Sequence, residues 1–450
     1  MARHIYHPAA FDPSDPVDSY WAASAGPLQI GTPALAGDET CEVAVIGSGY
    51  TGMSAALHLA RDHGVDVRVL EKAHPGWGAS GRNGGFCCLG GTKVSYSTLV
   101  GRYGEAEAQR FSAAQREAIA LVRELSQSEG FDVEASGDGD IEVAHDRASV
   151  AELEAGAIHM REVHGLDCTL YRKAELRQAG MAMAGAEAAL HMPIGFGLHP
   201  MKYVRGLAAA TVNRGARIHG QSPVEAWQKA DGRHILSTPG GTLRAKTVIV
   251  ATNGYTSEDL HRGLAGRILP ALSNIVTTRP LTVAEREAQG WTTHTMAYDS
   301  RALLHYFRLL PDGRFMLGAR GGLSASPDSA GRMKEDMRKR LARMFPAWAD
   351  VEISHFWRGF VAMTADLVPH VARLPDDGSV IHAMGYHGNG VSMGTWSGRA
   401  AARLAVGEKP DHEIVPAVAG QPMPRFPLPG LRPLYLRGAY VAYWLMDEVF

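Results

Sequence analysis

The sequence predicts an α/β fold in which a parallel sheet of βαβ units is interleaved with a mainly antiparallel β domain. The β-branched run CEVAVI (41–46) breaks directly into a glycine turn, as a buried strand does. A helical pattern follows, and VDVRVLEK (65–72) then looks like a second buried strand. From about 257 to 350 the sequence pattern changes and predicts short strands, NIVTTRPL, HYFRLL and RFMLGAR, and a charged helix near 327–344.

The first βαβ unit carries a dinucleotide-binding pattern. Gly47 permits a tight turn, Gly49 lets the backbone approach a pyrophosphate, and Gly52 lets helix and strand pack closely. The helix that follows presents free N–H groups and a partial positive charge to the diphosphate. Glu71 ends the second strand 19 residues after Gly52, where a carboxylate accepts hydrogen bonds from ribose hydroxyls. The candidate residues of this Rossmann-like unit are Gly47, Ser48, Gly49, Tyr50, Thr51, Gly52, Glu71 and Lys72.

Further along, the predicted elements divide the chain into an N-terminal extension, two interleaved domains and a tail. A second glycine loop at 76–91 precedes a long helical pattern from about 96 to 130, and helical pieces are predicted near 148–164 and 173–180. TLRAKTVIVATNGYT (242–256) is a further core strand. We assign 36–130, 196–256 and 351–412 to the nucleotide domain, 131–195 and 257–350 to the substrate domain, 1–35 to the extension and 413–450 to the tail.

Composition excludes several classes of function. The chain has 450 residues, enough for two or three domains, and its net charge of −2 with no basic run argues against a nucleic-acid partner. Four cysteines without CxxC spacing and twenty histidines without HExxH spacing predict no metal site. No segment has the length and apolarity of a membrane span or signal peptide, so we expect a soluble, cytoplasmic protein.

The second glycine loop, GWGASGRNGGFCCLGG, carries a family resemblance. GASGRNGGF after a GxGxxG unit resembles the D-amino-acid oxidase and glycine oxidase superfamily of flavoenzymes, and within it the gamma-glutamylputrescine oxidase-like proteins. The resemblance covers nearly the whole chain. It extends to SYWAASAG (19–26), KTVIVATNGYT (246–256), YFRLLPDGRFMLGAR (306–320), WRGFVAMTADLVPHVAR (357–373) and GYHGNGVSMG (385–394).

The resemblance implies FAD as the cofactor, a choice that the GxGxxG motif alone leaves open between FAD and NAD. It places three further groups of residues against FAD: the second glycine loop, the predicted strand SPVEAW with the loop after the third core strand, and a C-terminal turn. These are Ser80, Gly81, Arg82, Asn83, Gly84 and Gly85; Val224, Ala251, Thr252 and Asn253; and Gly385, His387, Gly388, Asn389 and Gly390. The C-terminal turn precedes a helix, whose dipole would stabilise a reduced anionic flavin.

We expect the FAD to be non-covalent. Some relatives attach flavin through a cysteine in the C-terminal half or through a histidine in the first flavin loop. This chain has no cysteine after Cys168, and the loop position where that histidine would stand is near Ser80. Cys87 and Cys88 directly follow the loop, and we interpret them as small buried hydrophobes.

For the chemistry, the resemblance implies oxidation of an amine or amino acid, including a gamma-glutamylated amine, to an imine that hydrolyses. With dioxygen as acceptor it would release hydrogen peroxide. Because only a neutral amine donates a hydride readily, we expect a dry aromatic pocket with walls from Phe86, Tyr306, Trp357 and Tyr386. The other candidate catalytic residues are His305 and His387, which could relay protons or contact the substrate, and Arg308, which could clamp a carboxylate.

Three alternatives stay open at the level of the sequence. The first is a dehydrogenase that passes electrons to a quinone or a carrier protein. The second is a flavin-binding subunit without turnover. The third is a nicotinamide dehydrogenase, which does not account for GASGRNGG or GYHGNG. The partners expected are a small-molecule substrate and O2 or another electron acceptor, and the sequence does not define an oligomeric state.

Overall fold

The computed structural model describes residues 4–14 and 17–448, which form two large sheets on either side of one cavity. The strands of the described chain are β1 (Glu39–Ile46), β2 (Val67–Leu70), β3 (Phe86–Cys87), β4 (Asp140–Ala144), β5 (Thr169–Arg172), β6 (Ala188–Met192), β7 (Phe196–Gly197), β8 (Arg217–His219), β9 (Ala226–Ala230), β10 (Arg233–Thr238), β11 (Gly241–Val250), β12 (Leu269–Pro280), β13 (Met296–Asp299), β14 (His305–Leu309), β15 (Arg314–Arg320), β16 (Ile353–Met363), β17 (His370–Leu374) and β18 (Asp377–Met384).

Helices alternate with these strands in the first half of the chain and close it at the end. They are α1 (Tyr20–Ser24), α2 (Tyr50–His63), α3 (Tyr96–Tyr103), α4 (Glu105–Ser128), α5 (Ala148–His164), α6 (Pro200–Asn213), α7 (Val283–Gln289), α8 (Pro327–Met344), α9 (Ser392–Val406), α10 (Asp411–Ile414), α11 (Ala417–Gly420) and α12 (Arg432–Glu448).

The first sheet is the predicted nucleotide-binding sheet. Its main path runs β17-β18-β11-β1-β2-β8, and β10 and β9 extend from β11. The pairs β1–β2, β1–β11, β2–β8 and β11–β18 are parallel. Val43 to Ile46 are all buried, which explains why this run of β1 is apolar rather than alternating. The glycine turn therefore leaves the carboxyl end of a central strand, where open α/β sheets bind ligands.

Helices α2 and α9 pack tightly together beside this sheet. Their approach depends on Gly398, because a Cβ there would lie 2.3 Å from the carbonyl oxygen of Thr51. The close packing holds the amino ends of both helices next to the cavity. As a result, the glycine turn before α2 and the turn before α9 face the same space.

The second sheet is mainly antiparallel, with the order β16-β12-β15-β14-β13-β4-β6-β5. Among its pairs only β13–β4 is parallel within the described chain. A separate aromatic core that includes Trp291, Phe307, Phe315 and Trp348 lies on one side of this sheet. The predicted combination of a parallel nucleotide sheet and a mainly antiparallel second domain is confirmed.

Four local predictions differ from the structure. Strand β16 pairs with β12 along nearly its whole length, so the second sheet reaches Met363 and includes part of the segment that we assigned to the nucleotide domain from residue 351. The predicted helix at 173–180 is a series of turns, and the predicted helix at 96–130 is broken at Gly104, which has φ +85°. Val224 lies in the loop before β9 rather than in a strand.

Candidate functional site

One cavity of about 730 Å³ lies between the two sheets, a volume typical of cofactor and ligand sites. It is lined by both glycine loops, the turn after β11, the turn before α9 and one face of the second sheet. The predicted FAD residues among its walls are Gly47, Ser48, Gly49, Tyr50, Thr51, Glu71, Lys72, Ser80, Arg82, Asn83, Gly84, Val224, Ala251, Thr252, Asn253, His387, Gly388, Asn389 and Gly390. Gly52, Gly81, Gly85 and Gly385 do not line it.

The first glycine turn has the geometry that a diphosphate site requires. Gly47 has φ +102°, a conformation that side chains disfavour, and its N–H donates to Leu70 O at 2.9 Å. A Cβ on Gly52 would lie 1.8 Å from the carbonyl oxygen of Gly47, so Gly52 serves helix packing rather than lining. Gly49 caps α2 without a side chain, which leaves backbone donors at the helix start for an anion.

Glu71 lies beside this turn and fixes it. Its Oε2 accepts hydrogen bonds from Ser48 N at 2.8 Å and from Ser48 Oγ at 2.7 Å, and its Oε1 accepts one from Ala73 N at 2.8 Å. A carboxylate oxygen has two lone pairs, so Glu71 keeps acceptor capacity toward the cavity that it lines. Lys72 also lines the cavity, and its Nζ donates to Phe11 O at 2.5 Å.

The second glycine loop is held by its own side chains. Asn83 Nδ2 donates to the hydroxyl of Tyr50 at 3.1 Å and to the carbonyls of Ala79 and Ser80, both at 3.0 Å, while Asn83 Oδ1 accepts from Gly85 N at 2.8 Å. Ser80 Oγ in turn accepts from Tyr50 N at 3.0 Å. These bonds tie the loop to the start of α2, so the two loops form one rigid wall.

Arg82 supports the same loop from within the protein. Its Nε donates to Trp77 O at 2.7 Å, and the guanidinium lies 4.5 Å from the centre of the Trp77 ring. The carbonyl of Arg82 accepts from Trp357 Nε1 at 2.8 Å. Gly81 and Gly85 are packing positions, because a Cβ on them would lie 2.2 Å from Gly76 O and 2.0 Å from Leu198 O respectively.

The turn before α9 contains His387, which has φ +53° between Gly385 at +84° and Gly388 at +111°. The hydroxyl of Thr364 donates to Val368 O at 2.8 Å and lies 3.1 Å from His387 Nε2, so Nε2 carries the ring proton. Nδ1 is buried and lacks a hydrogen-bond partner in the described chain. Burial lowers the pKa of His387 to about 3, so the ring is neutral.

The second sheet adds an aromatic chamber to the cavity. Tyr298, Leu304 and Tyr306 line it together with Phe86, whose ring meets that of Tyr306 edge to face at 5.7 Å. The hydroxyl of Tyr306 lies 2.8 Å from Ser273 Oγ, and burial raises the pKa of Tyr306 to about 12.

Tyr386 forms the chamber wall nearest α2. Its hydroxyl donates to Ala383 O at 2.8 Å and lies 2.8 Å from Thr51 Oγ1. Tyr386 therefore connects the turn before α9 to the first turn of α2.

Two cationic side chains also line this chamber, and sequence reasoning missed both. Arg320 ends β15 and donates from Nη2 to His387 O at 3.1 Å. Burial, followed by the charge of Arg320, lowers the pKa of the Lys93 ammonium to about 8. Neither cation forms an ion pair with a carboxylate within residues 4–14 and 17–448. Lys93 is a solvent-accessible residue of the cavity lining.

Three predicted catalytic residues lie outside the cavity lining. His305 is buried, with Nδ1 2.7 Å from Asp299 Oδ2 and Nε2 2.7 Å from Arg340 Nη1. Arg308 donates to Leu198 O at 2.5 Å, and burial lowers its pKa to about 10. Trp357 packs with its ring 6.2 Å from that of Trp21, behind the second glycine loop. Of the six candidates, Tyr306, Tyr386 and His387 are brought together at the cavity.

The N-terminal arm, residues 4–14, closes the end of the cavity that lies near Glu71 and Lys72. His4 lines the cavity and stacks on Phe11 with ring centres 3.7 Å apart. Phe11 packs against two further lining residues, Phe360 at 5.3 Å and Tyr255 at 6.0 Å. Because Phe11 also accepts the hydrogen bond from Lys72, the arm lies on the side of the cavity where Glu71 stands.

No cluster of three His, Cys, Asp or Glu side chains in residues 4–14 and 17–448 could hold a metal ion. In the same part of the chain, none of the helices combines the length and the apolar character needed to cross a membrane.

The fold and the cavity together define a dinucleotide-binding oxidoreductase. A family model described as FAD dependent oxidoreductase matches residues 42–404, and the chain belongs to that family. The predicted family is thereby confirmed, as is FAD as the cofactor. The residues present fit FAD, because the Gly47 turn admits no Cβ, the N-terminus of α2 keeps free donors, and Glu71 stands at the end of β2.

Several known proteins are similar to this chain. The gamma-glutamylputrescine oxidoreductase of Escherichia coli K12 is 31% identical over 423 residues, which cover 92% of this chain and 94% of that protein. The probable oxidoreductase OrdL of Haemophilus influenzae is 30% identical over 380 residues, 84% of this chain and 85% of that protein. The crystal structure of glycine oxidase from Geobacillus kaustophilus has the same fold, with a TM-score of 0.69 at 22% identity over 83% of this chain and 96% of that one.

Proposed function

We propose that this FAD-dependent oxidoreductase oxidises a carbon–nitrogen bond of an amine or amino acid, with a gamma-glutamylated amine as the leading candidate and dioxygen as the acceptor. The observation that carries the proposal is the aromatic chamber in which Lys93 and Arg320 face the same space as Tyr306 and His387. The similarity to gamma-glutamylputrescine oxidoreductase supports the choice of substrate class.

The charges of the chamber suit a neutral amine. Lys93 and Arg320 are cations, and the neutral ring of His387 adds no negative charge. A substrate ammonium among these groups would be disfavoured by both desolvation and like charge, so the pKa of the substrate amine falls and its reactive neutral form is enriched. The same two cations would pair with a substrate carboxylate, a role for which the sequence suggested Arg308.

A bound FAD would supply the redox chemistry: it would accept the hydride equivalent from the carbon next to the amine nitrogen, and dioxygen would then be reduced to hydrogen peroxide. The chain's own residues orient the amine. Tyr306 and Phe86 form apolar walls that exclude water, and Ser273 fixes the tyrosine hydroxyl. The substrate, having lost the hydride from carbon and a proton from nitrogen, becomes an imine, which water hydrolyses to a carbonyl compound and ammonia or a smaller amine.

We also propose that FAD is held without a covalent bond. Cys88 of the second glycine loop is the cysteine that lines the cavity in the described part of the chain, and burial raises its pKa well above 9, which suppresses the nucleophilic thiolate. Acid precipitation of the yellow protein tests this directly. We expect the flavin in the supernatant, and flavin that stays with the precipitate would contradict the proposal.

Peroxide formation in air with a panel of amines tests the proposed function. We expect turnover with carboxylate-bearing amines, and Arg320→Met should raise their KM by about 10- to 100-fold through loss of a charge-assisted hydrogen bond. Arg332→Met, at an exposed position of α8, is the matched control and should leave KM unchanged. Oxidation without peroxide would indicate another acceptor, and no oxidation of any amine would refute the proposal.

A further inference from the structure

The C-terminal helix α12 lies outside the family match, which ends at residue 404, and it packs against β12 of the second sheet. Leu436 packs in one cluster with Leu269 and Ala271 of β12. Side chains two residues apart on a strand share a face, so Ala271 lies on the same face as Ser273, which lines the chamber. Helix α12 therefore packs on the same face of β12 that lines the chamber, next to the point where the chamber ends.

Arg432 anchors the start of this helix. It is 2% exposed, forms an ion pair with Glu258 at 2.7 Å and donates to Pro429 O at 2.7 Å. A third bond joins its Nη1 to the carbonyl of Ile268, next to the first residue of β12. The amino end of α12 is therefore fixed to the second domain independently of its carboxyl end.

Asp447 fastens the carboxyl end of α12 to the loop before β14. Its Oδ1 accepts a hydrogen bond from Ala302 N at 2.8 Å, and its Oδ2 accepts one from Leu303 N at 2.9 Å. The next residue, Leu304, lines the cavity. One carboxylate thereby fixes the backbone that presents an apolar side chain to the chamber.

Tyr440 brings the middle of the helix close to the cations of the chamber. Its hydroxyl is buried and has no hydrogen-bond partner among the described residues. Burial raises the pKa of Tyr440 to about 12, and the charge of Arg320 acts in the opposite direction.

We propose that α12 is the outer wall of the substrate chamber and that Asp447, as a positioning residue, holds Leu304 in place and so limits the length of the amine that the chamber admits. This specificity role rests on the proposed function. The wall would act on binding more than on chemistry, because Asp447 does not line the cavity. A longer substrate should therefore benefit when the bonds from Asp447 are removed.

The test compares Asp447→Asn with Asp231→Asn in the holoenzyme. Asp231 undergoes the same chemical change on an exposed turn and has φ +51°, which asparagine tolerates. The probes are gamma-glutamylated diamines of increasing chain length. We expect Asp447→Asn to lower KM for the longest probe about tenfold relative to the shortest, with kcat changed less than about twofold.

Limited trypsin digestion gives a readout that needs no substrate. Arg437 is exposed on α12, and release of the peptide that starts at Gly438 should be about tenfold faster in Asp447→Asn than in Asp231→Asn, since loss of the bonds lets the helix end open. Equal cleavage rates, or equal KM changes for all chain lengths, would overturn the proposal. If the unaltered holoenzyme oxidises none of the probes, the proposed function fails, while the trypsin comparison still decides whether Asp447 holds α12.

Discussion

Replacing Glu71 with glutamine should weaken FAD binding strongly. The carboxylate holds the glycine turn through three hydrogen bonds, from Ser48 N, Ser48 Oγ and Ala73 N, and lines the cavity where the ribose is expected. The amide removes the charge and places a donor against an N–H group. A hydrogen bond to a charged group contributes about 1.5–3 kcal/mol, so a loss of about 2–3 kcal/mol corresponds to a Kd for FAD about 30- to 150-fold higher.

Titration of the apoprotein with FAD, followed by flavin fluorescence, measures this change. Glu42→Gln is the matched control, because Glu42 is half exposed on β1 and forms a surface ion pair with Lys246 at 3.4 Å. That variant should bind FAD within about twofold of the unaltered protein. A Kd for Glu71→Gln within about threefold of the unaltered value, at an unchanged apoprotein Tm, would refute the reasoning, because one lost charge-assisted bond already costs more.

Three further perturbations test the site and its surroundings. Gly52→Ala should abolish FAD retention, since its Cβ would meet Gly47 O at 1.8 Å. Gly331→Ala is the control, because Gly331 has open space around it on α8, and this variant should bind FAD normally. The absorbance at 450 nm measures the retained FAD, and equal retention by the two variants would contradict the prediction. Phe11→Ala should speed FAD dissociation about tenfold by loosening the arm against Phe360, and an unchanged rate in stopped-flow fluorescence would argue against such a role. Buried histidines should make the protein acid-sensitive, because burial lowers the pKa of His382 and His387 to about 3, far below the ordinary value of 6.5. Once the pH falls below about 6.5, the unfolded chain therefore binds more protons than the folded one, and each of the two histidines lowers the free energy of unfolding by about 1–2 kcal/mol at pH 5. Thermal unfolding at pH 7.5 and 5 measures it, and an equal Tm at both values would exclude it.

The nucleotide end of the site could be predicted because its signal is local. A strand, a glycine turn, a helix and Glu71 follow one another within about thirty residues, and each has its own short-range cause in backbone geometry or hydrogen bonding. The turn at Gly385 to Gly390 could be placed by resemblance. Its contact with α2 could not, because it depends on the approach of Gly398 to Thr51 in space.

The substrate end could be predicted only in part, because it is assembled from distant strands. Tyr306 pairs with Gly318 across the β14–β15 hairpin, and strand alternation then puts Arg320 on the same face and His305 on the opposite one. The hairpin signal of PDG was present in the sequence, so Arg320 could have been found from register. Lys93 stands in an irregular loop, and no periodicity indicates where its side chain lies.

The most direct test of the central claim is anaerobic mixing of the yellow holoenzyme with amines while the 450 nm band is recorded. We expect carboxylate-bearing amines, with gamma-glutamylated diamines among them, to bleach the flavin, and Arg320→Met to shift the required concentration upward. A flavin that stays oxidised with every amine and amino acid tried, yet is reduced by dithionite, would contradict it.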